Sequence, residues 1–207
     1  MTNAVVVDLD GTLMNTNTFV RFIVFVCKRE ISKLHFWIPL QLCLLVLFRK
    51  CRIISSHELF KKRVLVASEK YCNENDMIRF SDSLQSYVNP KVLALFMNYQ
   101  EKGFCTVLSS AAPACYAKLI SEKYHFDSWC ATQFPNADDW HENVSEFKKK
   151  NTLRLLDDLD AQLAVLITDH YDDIPLLEMP KLKNYIVNPS ESTLRELRKE
   201  NFDYVII

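Results

Sequence analysis

Glycine is nearly absent from this chain. Its 207 residues include only Gly11 and Gly103, whereas the P-loop and the dinucleotide-binding turn each need several glycines at fixed spacing. Both kinds of phosphate loop are therefore excluded. An excess of one charge is also lacking. Lys plus Arg number 25 and Asp plus Glu 26, a formal net charge of -1, so no overall field draws the chain to nucleic acid, and no nucleic-acid-recognition motif occurs. Paired cysteines are missing too. The seven, Cys27, Cys43, Cys51, Cys72, Cys105, Cys115 and Cys130, are odd in number and contain no C-x-x-C. Most sit among apolar residues, and the expectation is buried, reduced thiols in a cytoplasmic protein. Nothing reads as a signal peptide, because the apolar Ala4–Val7 is cut at once by Asp8.

What is present is a core-forming composition, 49% hydrophobic, and a rhythm. Ala4-Val-Val-Val-Asp8 is a β-branched run that ends in acid and glycine, the pattern of a buried parallel strand. Similar units are Phe104–Leu108, ending in Ser109 and Ser110; Leu163–Ile167, ending in Thr168 and Asp169; Asn184–Val187; and Tyr204–Ile207. Helical patterns over Lys91–Lys102, Ala114–Tyr124 and Thr152–Leu159 lie between them. The alternation predicts an α/β fold, a Rossmann-like parallel sheet with helices on both faces. In such sheets a ligand sits beyond the carboxyl ends of the strands. Three of those ends carry Asp8 and Asp10, Ser110, and Asp169 and Asp173. Residues 15–89 show no strand and several helical stretches, which predicts an all-helical cap inserted in a core made of residues 1–14 and 90–207.

Asp8-Leu-Asp10-Gly-Thr12 places two carboxylates on alternate positions as a strand runs out, so both point the same way, and Gly11 permits a sharp turn. Phosphoryl transfer needs a nucleophile, neutralisation of phosphate charge and a proton donor for the leaving oxygen. An aspartate can be the nucleophile through an aspartyl-phosphate, and a second carboxylate the acid. Two carboxylates beside a phosphate repel it, so a divalent cation is required, and oxygen-only ligands point to Mg2+.

Val5-Val-Val-Asp-Leu-Asp-Gly-Thr-Leu13 resembles the first motif of the haloacid dehalogenase superfamily. Leu108-Ser-Ser-Ala-Ala-Pro113 resembles its second motif, and Thr168-Asp-His-Tyr-Asp-Asp-Ile-Pro-Leu-Leu177 its fourth, both in the form of the phosphoserine-phosphatase-like branch. Val187-Asn-Pro189 suits that branch as well, and the helical cap falls where the branch carries one. The resemblance implies a Mg2+-dependent phosphomonoesterase with Asp8 as nucleophile and Asp10 as general acid and base. It implies that Ser110 binds a phosphoryl oxygen, and that Asp8, Asp169 and the backbone carbonyl of Asp10 ligate the metal. Asp173 would support the metal shell, in preference to Asp172, which is expected to be solvated. The third motif is a lysine. Lys149 is favoured because Leu153 and Leu156 follow at +4 and +7; Lys148, in Ser-Glu-Phe-Lys, and Lys150 are alternatives. Thr168 and His170 depart from the usual glycine and small residue, without removing a carboxylate. His170 is expected to be partly exposed without a special role.

His35-Phe-Trp-Ile-Pro-Leu-Gln-Leu-Cys-Leu-Leu-Val-Leu-Phe48 is the most apolar stretch, flanked by Lys33, Arg49 and Lys50. As a helix its 14 residues reach about 21 Å, short of the ~30 Å bilayer core. It also resembles the long apolar cap of the bacterial phosphatidylglycerophosphate-phosphatase-like group. Buried in the cap, it favours a small soluble phosphorylated metabolite as the substrate; facing solvent, it favours a lipid or amphipathic phosphate and peripheral membrane contact. The buried arrangement is the expectation, since apolar helices are usually core. Phosphotransfer to an acceptor other than water is an alternative activity. A non-catalytic binding role is disfavoured by the complete set of acids, serine and lysine. The oligomeric state is left open.

Overall fold

A computed structural model describes residues 1–69, 73–135, 139–200 and 202–207; Cys72 lies outside them. Its centre is a parallel sheet of β1 (Thr2–Val7), β2 (Cys105–Pro113), β3 (Ser128–Thr132), β4 (Ala161–Thr168), β5 (Lys183–Ile186) and β6 (Val205–Ile206) in the order β3-β2-β1-β4-β5-β6. Val7 pairs with Leu108 on one side and Ile167 on the other. β1 is central because Ala4–Val7 are apolar on both faces and wholly buried. Alternation along it feeds two cores. Val5 and Val7 join Val92, Phe96, Ala117 and Ile120. Ala4 and Val6 join Leu156, Leu176 and Leu197 on the other face.

The first core belongs to α5 (Pro90–Glu101) and α6 (Ala114–Lys123), and the second to α7 (Ser145–Asp158), α8 (Ile174–Leu177) and α9 (Glu191–Leu197). The chain steps outward from β1 to β2 and β3, then returns to place β4 on the other side of β1. The order reverses there, and the crevice at the carboxyl ends of β1 and β4 is where such sheets hold a ligand.

Between β1 and α5 the chain builds α1 (Thr18–Ser32), α2 (Trp37–Lys50), α3 (His57–Glu69) and α4 (Glu74–Ser83). Asn17 caps α1 and Asn73 forms a capping box with Asp76 on α4. The segments leading into and out of this cap run side by side: Met14 bridges Val88, Asn15 N–H donates to Tyr87 O at 2.7 Å, and Asn89 N–H donates to Leu13 O at 2.9 Å.

Four expectations need correcting. β3, Ser-Trp-Cys-Ala-Thr, was not anticipated: it is an edge strand with no Val or Ile run, and only its last two residues are buried. α7 begins at Ser145, not Thr152, so Lys148–Lys150 lie on the helix. The described cysteines are not the buried set expected: Cys27, Cys105, Cys115 and Cys130 are partly buried, and Cys43 and Cys51 are exposed. Most of α2 is not core either; its buried residues are Ile38, Pro39 and Leu42.

Candidate active site

The carboxyl ends of β1, β2 and β4 open into a cleft of about 940 Å3 that Asp8, Asp10, Ser110, Lys148, Asp169 and Asp173 all line. Asp8 follows β1 directly, its side chain buried by the packing that makes the strand central. Gly11 then turns the chain at φ +72°, a left-handed value that glycine adopts freely. Space demands glycine as well, because a Cβ there would lie 2.1 Å from Asp169 Oδ2. The turn thus brings the first loop against the fourth-motif carboxylate, and Thr12 Oγ1 reaches Asp169 Oδ1 at 3.4 Å. Asp10 accepts the Thr18 amide at 2.8 Å, at the first turn of α1, where unpaired N–H groups favour an anion.

The lysine at the centre of the site is Lys148, not the favoured Lys149. Its Nζ donates to Asp8 Oδ1 and to Asp173 Oδ2, each at 2.7 Å. The reason is helix phase. The buried face of α7 is Lys148, Thr152 and Leu156, spaced by four, and Lys149 lies about 100° round the helix. The spacing that favoured Lys149 counted only leucines. Thr152, four residues after Lys148, is wholly buried and bonds Ser109 Oγ at 2.7 Å. Lys150 is exposed.

Asp173 is buried between Lys148 and the Thr168 hydroxyl, which donates to it at 2.6 Å. Thr168, the departure from the motif's glycine, therefore fixes the acid that fixes the lysine. Asp172 lines the cleft half-exposed, 3.2 Å from His170 Nδ1; His170 lines it too, its ring centroid 4.1 Å from that of Tyr171 and tilted by 33°. Ser110 is buried, and the Ala112 amide donates to its Oγ at 3.1 Å. Asn143 Nδ2 donates to Ser110 O at 2.9 Å.

Burial pushes Asp8 up to about 7, against the pull of Lys148 and with help from Asp173 and Asp169. Asp169 is pushed up to about 6, mainly by burial, with His170 and Lys148 opposing and Asp173 adding. Burial raises Asp10 as well, with the Thr18 bonds opposing. Burial alone would lower Lys148, but Asp173 and Asp8 hold it well above the ordinary lysine range. Lys148, the lysine paired with Asp8 and Asp173, faces more buried carboxylates than it can neutralise, and that surplus of hard oxygen donors fits a divalent cation. Among the described residues no three His, Cys, Asp or Glu side chains form a metal cage. Mg2+ needs none, since it usually binds through one or two carboxylates plus substrate phosphate and water.

The cap closes the other side of the cleft with residues that no motif announced. Lys61 of α3 is buried, donates to Ala111 O at 3.0 Å and pairs with Glu142, whose Oε2 lies 3.2 Å from His57 Nδ1. Burial would raise Glu142, but His57 and Lys61 bring it below its ordinary value. Lone polar residues in an amphipathic helix give no signal of this kind in sequence.

This site defines a class of protein, and the chain belongs to it: the haloacid dehalogenase-like hydrolase family matches over residues 5–178. No curated protein matches the chain. Among solved structures, a protein of unknown function from Bordetella pertussis Tohama I superposes with TM-score 0.78 at 15% identity, covering 99% of each chain. A HAD family hydrolase from Salmonella enterica serovar Typhi gives 0.67 at 14%, covering 99% of this chain and 68% of that one. A phosphoserine phosphatase in apo form gives 0.64 at 12%, covering 100% and 94%. At these identities the likeness is one of fold.

Proposed function

We propose that this hydrolase is a phosphatase that cleaves a phosphomonoester through an aspartyl-phosphate on Asp8. The observation that carries the reading is Lys148, buried and held at 2.7 Å from both Asp8 and Asp173 in the crevice at the carboxyl ends of β1 and β4. Lys148 favours the ionised form of Asp8 from one oxygen, against the effect of burial, and the other oxygen attacks phosphorus. The bond from phosphorus to the leaving oxygen breaks as Asp10 gives that oxygen its proton. Asp10, now a base, takes a proton from water, whose oxygen displaces Asp8 and frees phosphate. Ser110 and Lys148 bind the phosphoryl oxygens. Asp8, Asp169 and the Asp10 carbonyl would hold Mg2+, which supplies charge neutralisation for the phosphoryl group.

Beyond the phosphoryl position the cleft is lined by Asn15, Asn17, His57, Glu58, Lys61 and Glu142. Those polar side chains, set among Phe19, Ala111 and Val144, favour a small polar leaving group, as in a soluble phosphorylated metabolite. The exposed face of α2 supports a second reading, a phosphate carried on an amphipathic molecule.

The test is hydrolysis of an aryl phosphate with Mg2+ and with EDTA, in wild type and Asp8→Asn. The amide is a poor nucleophile, so activity should fall by several orders of magnitude in the variant and should need the metal in wild type. An Asp8→Asn protein that keeps more than about a tenth of wild-type turnover removes the nucleophile assignment, since loss of a covalent nucleophile costs far more than that.

A further inference from the structure

The cap carries an apolar surface that no described residue covers. α2 packs one side against α1 and α3 through Ile38 and Leu42. On its other side Trp37, Leu40, Leu44, Leu47 and Phe48 are exposed, Trp37 at 72% and Leu47 at 50%. Their spacing keeps them on one face of the helix. The α1–α2 turn extends the surface with Leu34, 77% exposed, and Phe36, 61% exposed. Scattered apolar residues need no explanation, but a contiguous patch of large ones marks an interaction site.

Charge decides the occupant. From Ile31 to His57 there is no Asp or Glu, while Lys33, Arg49, Lys50 and Arg52 are present. Glu30, just before this segment, is buried and held by Arg29 and His35. Lys33, Lys50 and Arg52 are exposed and flank the stripe at its two ends. A second copy docking through the same patch would set these cations against each other. An anionic lipid surface accepts both parts, the apolar stripe among acyl chains and the basic ends at phosphate headgroups. Among the described residues no helix is long and apolar enough to cross a membrane, and a helix of 14 residues suits the interfacial plane instead.

We propose that the outer face of α2 and the α1–α2 turn dock this protein on an anionic lipid surface. Trp37, Leu44 and Leu47 enter the headgroup–acyl boundary, and Lys33, Lys50 and Arg52 meet the headgroups. Ile53, also exposed, carries the surface to within three residues of Ser56, which lines the cleft, so docking holds the cleft close to the lipid.

The experiment is co-sedimentation of the full chain with vesicles of phosphatidylcholine alone and of phosphatidylcholine mixed with phosphatidylglycerol. Binding should be at least about tenfold tighter to the mixed vesicles and weaken with salt. Leu44→Glu/Leu47→Glu, both at exposed positions away from the cleft, should abolish sedimentation while aryl phosphatase turnover and the circular dichroism spectrum stay at wild-type levels. Lys50→Ala/Arg52→Ala should lose most of the preference for anionic vesicles, since each basic residue at such a surface is worth roughly fivefold. Three results would overturn the proposal: no sedimentation with either vesicle, sedimentation that the double glutamate variant leaves intact, or a dimer in solution that this variant dissociates. Binding is read without turnover, so failure here and failure of the phosphatase reading are separate results.

Discussion

Replacing Lys148 with Met keeps a long side chain and removes the ammonium that holds Asp8 and Asp173, each at 2.7 Å. Two consequences follow from the geometry. Asp8 already stands at about 7 because burial outweighs the pull of Lys148. Without that pull it moves higher, and near neutral pH more of it is a carboxylic acid that cannot attack phosphorus. The phosphoryl oxygens also lose a preorganised donor, and one such donor is worth roughly 10²–10³ in kcat. Removing one partner of a buried ion pair costs about 3–5 kcal/mol of stability when the other stays charged; here protonation of the carboxylates relieves part of it. The assay is aryl phosphate hydrolysis at saturating Mg2+ for wild type, Lys148→Met and Lys149→Met, with a urea midpoint measured for each. Lys148→Met should fold and lose roughly 10²–10³ in kcat, and Lys149→Met should turn over like wild type. A Lys148→Met enzyme within about tenfold of wild type, or a Lys149→Met enzyme equally damaged, would refute the reasoning from preorganised charge.

Asp10→Asn should bind Mg2+ almost normally, its expected ligand there being the backbone carbonyl, yet lose roughly 10²–10⁴ in turnover of an alkyl phosphate. The loss should be smaller with an aryl leaving group, and equal losses on the two substrates contradict the general-acid role. Gly11→Ala forces a side chain to φ +72° and sets a Cβ 2.1 Å from Asp169 Oδ2. Beyond the about 1–2 kcal/mol of left-handed backbone, displacement of Asp169 should raise the Mg2+ concentration needed for half-maximal activity, and an unchanged metal titration counts against Asp169 as ligand. The raised Asp8 and Asp169 bind protons in the folded state that the unfolded chain has released, so the metal-free protein should lose stability as pH rises from about 4 toward 7. His170, raised mainly by Asp172, acts in the same direction as pH rises through its folded value. Mg2+ should reduce that loss, read as urea midpoints at pH 5 and 7.5 with EDTA or Mg2+; midpoints indifferent to Mg2+ at pH 7.5 argue against the metal site.

Much of the core was legible because its signals are local. Ala4–Asp8, Leu163–Ile167 and Asn184–Val187 are short apolar runs ended by polar residues, and their acids fall at strand ends whatever the rest of the chain does. What was not legible depended on tertiary phase. Which of three adjacent lysines turns inward is fixed by the rotation of α7, and that rotation is set by buried Thr152, whose hydroxyl finds Ser109 Oγ. Thr168 looked like a lost glycine and is a donor to Asp173. The cap misled in the other direction. Its apolar α2 read as core because apolar helices usually are, and only packing reveals that α1 and α3 cover one side of it.

The paired segments at Met14 and Val88 set how the two parts of the molecule can vary. The insertion begins and ends on neighbouring backbone, hydrogen-bonded across, so the sheet closes its own chain there whatever lies beyond. The cap's side of the cleft can therefore be exchanged as one cassette, while Asp8, Asp10 and Asp169 keep their register at the strand ends. The cap also packs on the core, with Phe22 and Phe80 against Tyr116 and Lys61 paired with Glu142, so an exchanged cassette has to bring its own half of that contact.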